Sequence, residues 1–198
     1  MVRLVQSYRG IMKIIKGYIK TKQMKKMGLQ SRQISKMLKE GELLKLKQGL
    51  YRNTDMFLQD QSFLDVCYAI PYAIITGFSA LAYFNFTTHI PEKVFIAIPK
   101  AKKAPKIKYP PITAIRQDVQ KFKQNIVKVK RDKYSFRIFD MEKVICDTVK
   151  NRNKMGMDTM KEALREYLKR KDLETNELIN LDNVDKFEFN SKIITTLL

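Results

Sequence analysis

The first 52 residues contain helical patterns followed by strand patterns, and their order limits the folds that this region can adopt. From Leu4 to Ile19, apolar residues recur at spacings of three and four, which is typical of one face of a helix. Two shorter helical patterns follow, over residues 21–28 and 31–41, and each starts at a residue suited to an N-cap and ends at a glycine. Residues 43–52 then resemble two short strands joined by a turn at residues 47–49. Three helices followed by a hairpin predict a winged helix-turn-helix.

The positive charge is concentrated in the same region. The chain of 198 residues has a net charge of +19, and its first 58 residues hold 14 Lys and Arg against 3 acids. Such a charge favours a polyanionic partner. Nucleic acid fits better than a membrane surface, because no apolar stretch reaches the roughly 18 residues of a spanning helix. The charge balance changes near residues 52–55, which predicts a first domain over residues 1–58 and a second over residues 59–198.

The third predicted helix carries the candidate DNA-reading face. With Ile34, Met37 and Leu38 turned inward, the helical period places basic residues on the opposite side. Arg forms paired hydrogen bonds with guanine and Gln with adenine, whereas Lys serves guanine or phosphate. The alternative is a lysine-rich helix face that is merely solvated. The predicted DNA-binding residues are Gln30, Ser31, Arg32, Gln33, Ser35, Lys36 and Lys39 from the helix and Lys45, Lys47 and Arg52 from the hairpin.

The rest of the chain reads as a mixture of helices and strands. Helical patterns cover residues 61–69 and 76–84, and helices are expected to begin at Asp140 and Asp158. Strand patterns cover residues 94–98, 112–115, 126–129 and 134–139, and the tail from 173 to 198 is expected to be helical. The predicted fold class is α+β: an N-terminal winged helix-turn-helix, then a mixed α/β domain with a small sheet and C-terminal helices.

A basic loop between two predicted strands has two interpretations. It is either a solvated lysine run or a second patch that contacts phosphate. Its lysines are Lys100, Lys102, Lys103, Lys106 and Lys108.

The sequence offers little sign of catalysis. No acid stands two positions before a lysine, as a common metal-dependent nuclease core requires, and the densest acids, Asp140, Glu142 and Asp147, suit a helix start. Gly-Ser, Walker-type and Gly-x-Gly-x-x-Gly sequences are lacking. Two Cys and one His, His89, do not allow a zinc-finger spacing. We therefore expect no enzyme activity, cofactor or metal, and two free thiols in a cytoplasmic protein without a secretory signal.

Several segments taken together resemble the AbiEi antitoxins, which are transcriptional regulators of abortive-infection toxin–antitoxin systems of type IV. Residues 16–51 are similar to the winged-helix domain of that family. Residues 76–84 and 90–100 are similar to the opening of its antitoxin domain, and residues 140–147, 152–158 and 162–168 to its second half. The resemblance covers roughly residues 10–171, and residues 176–198 depart from the family pattern.

The resemblance implies a function in phage defence. Such proteins bind inverted repeats in double-stranded DNA upstream of their own operon and repress it. Their C-terminal domain neutralises a cognate nucleotidyltransferase-like toxin, and it can carry a basic face that touches DNA. From the residues alone, a stand-alone regulator whose second domain senses a ligand or a protein stays open, and an enzyme acting on nucleic acid is the third hypothesis.

Overall fold

The computed structural model describes residues 15–103, 106–118 and 122–170. Their helices and strands form a mixed α and β architecture with two small sheets, in agreement with the predicted α+β class. In chain order the elements are β1 (Tyr18–Lys20), α1 (Thr21–Lys26), α2 (Ser31–Lys39), β2 (Leu43–Lys47), β3 (Leu50–Asn53), α3 (Gln61–Ala69), β4 (Ile74–Ile75), α4 (Gly77–Tyr83), β5 (Val94–Pro99), β6 (Ile112–Gln117), β7 (Ile126–Arg131), β8 (Tyr134–Phe139), α5 (Met141–Lys150), α6 (Arg152–Met155) and α7 (Met157–Leu168).

The first sheet is antiparallel, with the strand order β1-β3-β2. Tyr18 lies opposite Arg52 and Lys20 opposite Leu50, and β2 pairs with β3 as the predicted hairpin. Helices α1 and α2 close a small core with this sheet. The core consists of Ile15, Ile19, Met24, Leu29, Ile34, Met37, Leu43 and Tyr51.

The prediction of a helix running to Ile19 is wrong over its described part. Residues 15–17 are not helical, and Ile19 pairs with Tyr51 in the sheet. Gly17 has a φ of +109°, which no helix accommodates, and its carbonyl accepts the backbone N–H of Asn53 at 2.9 Å. Ile15 and Ile19 are both buried, so their spacing of four resembled a helix face although it belongs to an extended segment. Residues 4–14 of the predicted helix lie outside the described residues.

The second sheet is mixed and has the order β6-β5-β4-β8-β7. Strand β4 runs parallel to β8 and antiparallel to β5, and β7 and β8 form an antiparallel hairpin. Helix α3 and strand β8 have the predicted bounds, and α4, β5, β6, β7 and the starts of α5 and α7 agree with the prediction within about two residues. Asp140 caps α5 as expected, because its carboxylate accepts the backbone N–H of Lys143 at 2.8 Å. The short elements β4 and α6 were not predicted.

The two sheets are joined through a shared core. Leu46 and Leu50, from the β2–β3 hairpin, are buried in the larger core together with side chains of α3 and the second sheet. The hairpin therefore packs against the described residues that follow residue 58, called the second part below, while those up to residue 58 are called the first part. The domain boundary at residue 58 stays a prediction. The predicted helical tail from residue 173 lies outside the described residues. Among the helices that the structure describes, none is long and apolar enough to cross a membrane.

Candidate nucleic-acid interface

Helix α2 separates an apolar face from a basic one, as its period predicts. Ile34 and Met37 are buried in the small core. Arg32, Lys36 and Lys39 are exposed on the remaining surface of the helix. The predicted reading face is therefore accessible to a partner.

The start of α2 uses one of the predicted residues for its own structure. The side-chain oxygen of Gln33 accepts the backbone N–H of Gln30 at 2.7 Å, so Gln33 helps to cap the helix. Gln30, Ser31 and Ser35 are exposed. The side-chain acceptor of Gln33 is thus already occupied within the protein, and the Gln30 side chain in turn accepts the backbone N–H of Gln33 in the same capping box.

One acid accompanies the basic face. Lys36 Nζ lies 3.6 Å from Glu40 Oε1, and both side chains are largely exposed. An exposed pair of this kind contributes about 0.2–1 kcal/mol, so a phosphate can readily replace the carboxylate. Glu40 and Glu42 are the acids of residues 15–54, and the surface of this unit is therefore strongly positive.

Helix α1 adds basic residues that the sequence reasoning did not include. Lys22, Lys25 and Lys26 are exposed on α1, which precedes α2 through the four residues 27–30. The sequence could have indicated them, because these three lysines lie close to Met24, the buried residue of the same helix. These residues extend the positive surface beside the reading face.

The tip of the hairpin is attached to the second part. The ammonium of Lys47 donates to the carbonyl of Ala69 at 2.5 Å. The carbonyl of Leu46 accepts the backbone N–H of Lys108 at 2.6 Å. Lys45 is half-buried. The side chain of Lys47 therefore already has a partner within the protein. No such contact is described for the side chain of Lys45.

Arg52, one of the predicted DNA-binding residues, is buried and turned into the fold. Only 9% of its surface is accessible to solvent, and its Nε lies 3.0 Å from Asp65 Oδ1. One of its terminal nitrogens donates to the carbonyl of Met56 at 2.9 Å. Its charge is neutralised within the fold, and no local pattern showed this, because Asp65 lies on another element.

The basic loop returns to the hairpin. Lys100, Lys102, Lys103, Lys106 and Lys108 are all exposed, and the hydrogen bond from Lys108 to Leu46 brings the end of the loop against the hairpin tip. Tyr72 donates its hydroxyl to the carbonyl of Lys103 at 2.7 Å, and Lys100 Nζ lies 2.7 Å from Asp118 Oδ1. Residues 104–105 are outside the described part. The loop is thus anchored at both described ends and presents lysines beside the hairpin.

The candidate catalytic acids have structural contacts. Asp147 Oδ2 lies 2.5 Å from Lys143 Nζ, and Glu142 accepts the hydroxyl of Tyr167 at 3.3 Å. The ring of His89 packs edge-on against Phe78. In the described ranges no group of His, Cys, Asp and Glu side chains is placed to hold a metal ion.

The two cysteines are free thiols. Burial raises the pKa of Cys146 to about 11, and burial also raises the pKa of Cys67. Both thiols are therefore protonated near neutral pH, which makes them poor nucleophiles.

Comparison with known proteins adds no relative: no family model matches the chain, and no curated protein matches it. The resemblance to the AbiEi antitoxins stays a prediction from the sequence.

Proposed function

We propose that the protein is a DNA-binding transcriptional regulator in which residues 15–54 act as a winged helix-turn-helix. The observation that carries the proposal is the accessible basic face of α2, with Arg32, Lys36 and Lys39 opposite the buried Ile34 and Met37. Two helices joined by a short turn containing Gly28 are typical of a helix-turn-helix, and the antiparallel hairpin β2–β3 follows them.

In this proposal α2 enters the major groove. Arg32 would contact guanine, while Lys36 and Lys39 would contact guanine or phosphate. The exposed lysines of α1 would contact the backbone on one side of the groove. On the other side, Lys106 and Lys108 of the basic loop would take the position beside the hairpin, since the hairpin tip itself is attached to Ala69.

The proposed biological role is that of an antitoxin that represses its own operon at inverted repeats. The second part would neutralise a cognate nucleotidyltransferase-like toxin, without enzyme activity and in the cytoplasm. This step rests on the sequence resemblance. The alternative is a stand-alone regulator whose second part senses a ligand or a protein.

The DNA-binding proposal is tested with the full chain and a labelled duplex from upstream of its own coding region. We expect tighter binding to this duplex than to a scrambled duplex of the same length, with log K falling steeply as log salt rises. Equal affinity for the two duplexes would remove the sequence-specific function, and absence of binding at low salt would remove DNA binding altogether.

The antitoxin proposal is tested by co-expressing the full chain with the product of the adjacent gene. If that product arrests growth, we expect the full chain to restore it, also when Arg32, Lys36 and Lys39 are changed to Ala. Rescue by the variant would separate neutralisation from repression. An adjacent product that is harmless, or an arrest that the full chain does not relieve, would favour the stand-alone regulator.

A further inference from the structure

A fully buried carboxylate joins the small sheet to the second part. Asp65 of α3 is completely shielded from solvent. Its Oδ1 accepts the hydroxyl of Tyr18 at 2.8 Å and the side-chain amide of Gln61 at 2.9 Å. The guanidinium Nε of Arg52 lies 3.0 Å from the same oxygen. A buried charge with so complete a set of partners holds them in one geometry, because any rotation leaves it unpaired.

The partners of Asp65 belong to two strands of the small sheet. Tyr18 lies on β1 and Arg52 on β3, directly opposite each other in the ladder. The Tyr18 ring stacks on Tyr68 of α3, with centroids 3.9 Å apart. Tyr134 donates its hydroxyl to the carbonyl of Lys16 at 2.8 Å. The strands that carry α1 and α2 are therefore fixed from one side by α3 and β8.

A second attachment lies at the far end of the same sheet. Lys47 donates to the carbonyl of Ala69, and Lys108 donates to the carbonyl of Leu46. Asp65 and Ala69 are one turn apart on α3, so this helix supports both attachments. With two attachments the small sheet has no free rotation relative to the second part.

The two attachments limit how the basic face of α2 can move relative to the basic loop. Helix α2 lies on the small sheet, whereas the described residues of the basic loop, 100–103 and 106–108, belong to the second part. A flexible tether would let each surface bind DNA in its own register. A rigid junction would instead hold the two surfaces at a fixed separation.

We propose that Asp65 is a positioning residue that fixes α2 relative to the basic loop, so that the two form one DNA-binding surface of fixed register. This inference rests on the proposed DNA-binding function. In it Asp65 never touches DNA and acts through Tyr18 and Arg52.

The test compares two labelled duplexes that share the α2 site. The short one spans about 10 base pairs, roughly one helical turn, and ends at the edge of the α2 site that faces the hairpin; the long one continues past this edge toward the loop, to about 20 base pairs. For the full wild-type chain we expect at least about tenfold tighter binding to the long duplex and a steeper salt dependence. The Lys106→Ala/Lys108→Ala double variant should lose much of this advantage.

The deciding variant is Asp65→Asn, which keeps the side-chain shape and removes the charge. We expect its affinity for the short duplex to stay within about twofold of wild type, while most of the advantage of the long duplex and its extra salt slope disappear. A merely structural role would lower both affinities together. Asp55→Asn, at an exposed position, is the matched control and should keep the advantage.

Each outcome decides between the claims. Full retention of the long-duplex advantage by Asp65→Asn would overturn the inference, as would equal binding of both duplexes by the wild type. Absence of any wild-type binding would instead contradict the proposed function and the inference with it. If circular dichroism shows that Asp65→Asn is unfolded, Tyr18→Phe decides: a partial loss of the advantage supports the inference, and full retention overturns it.

Discussion

The two groups of basic residues in the first part differ in where their charge is placed. On α2, Arg32, Lys36 and Lys39 are exposed. On the hairpin strands, Lys47 and Arg52 turn toward the second part and are paired with Ala69 and Asp65. Both groups look alike in the sequence, yet one is available to a partner and the other stabilises the junction. The comparison shows that a basic residue in the sequence is a candidate for binding only when the fold leaves its side chain exposed.

The largest loss of stability is expected when Arg52, which is paired with Asp65, is replaced. Arg52→Met should lower the free energy of unfolding by about 3–5 kcal/mol, because it leaves the Asp65 carboxylate buried without its cation. Urea denaturation followed by circular dichroism measures this. Lys39→Met is the matched control on the exposed helix face and should change stability by less than about 0.5 kcal/mol. Similar losses for both variants would remove the distinction between the two groups.

The loss of stability in Arg52→Met should depend on pH, because it comes from the charge of Asp65. Burial raises the pKa of Asp65, while Tyr18 and Arg52 act in the opposite direction. Removing Arg52 raises this pKa further, so the folded variant takes up a proton on Asp65 at a higher pH than the wild type. Below that pKa the buried group is neutral, and we expect the stability gap between Arg52→Met and wild type to narrow as the pH falls. A gap that stays constant from pH 8 to pH 5 would contradict the charge-based explanation.

A smaller loss of stability is expected from a substitution at Gly17, where the backbone lies close to the side chain of Tyr134. Gly17 has a φ of +109°, and a Cβ there would lie 1.7 Å from the Tyr134 hydroxyl oxygen. Gly28 also has a positive φ, but a Cβ there would meet nothing within 4 Å. Both Gly→Ala variants store backbone strain of about 1–3 kcal/mol. Thermal unfolding should show the larger loss for Gly17→Ala, and equal losses would mean that the Tyr134 contact is unimportant.

Substituting the exposed basic residues of α2 should change DNA sequence preference and leave the free energy of unfolding unchanged. Arg32→Ala should relax the preference at one base position by about 1–3 kcal/mol. Competition with operator duplexes changed at single positions measures this. A uniform loss at every position would assign Arg32 to phosphate contact instead.

The sequence was sufficient where a local pattern determines the structure. The inward turn of Ile34 and Met37 and the capping by Asp140 follow from period and residue type within one helix. The strand at residues 18–20 was missed because its pairing with β3 lies some thirty residues away in the chain. The internal pairing of Arg52 was missed for the same reason, since its partner Asp65 belongs to another element.

Whether the exposed face of α2 binds duplex DNA, as proposed, is decided by comparing two variants that lose the same number of charges. The triple variant Arg32→Ala/Lys36→Ala/Lys39→Ala loses three positive charges from α2. The control Lys154→Ala/Lys161→Ala/Arg165→Ala loses three from exposed positions on α6 and α7. Anisotropy titration of the upstream duplex over a salt series should show that the α2 variant loses at least about a hundredfold in affinity and flattens the salt slope by about two to three units, while the control stays near wild type. Equal losses for the two variants would exclude a specific role for α2, because binding would then follow net charge alone.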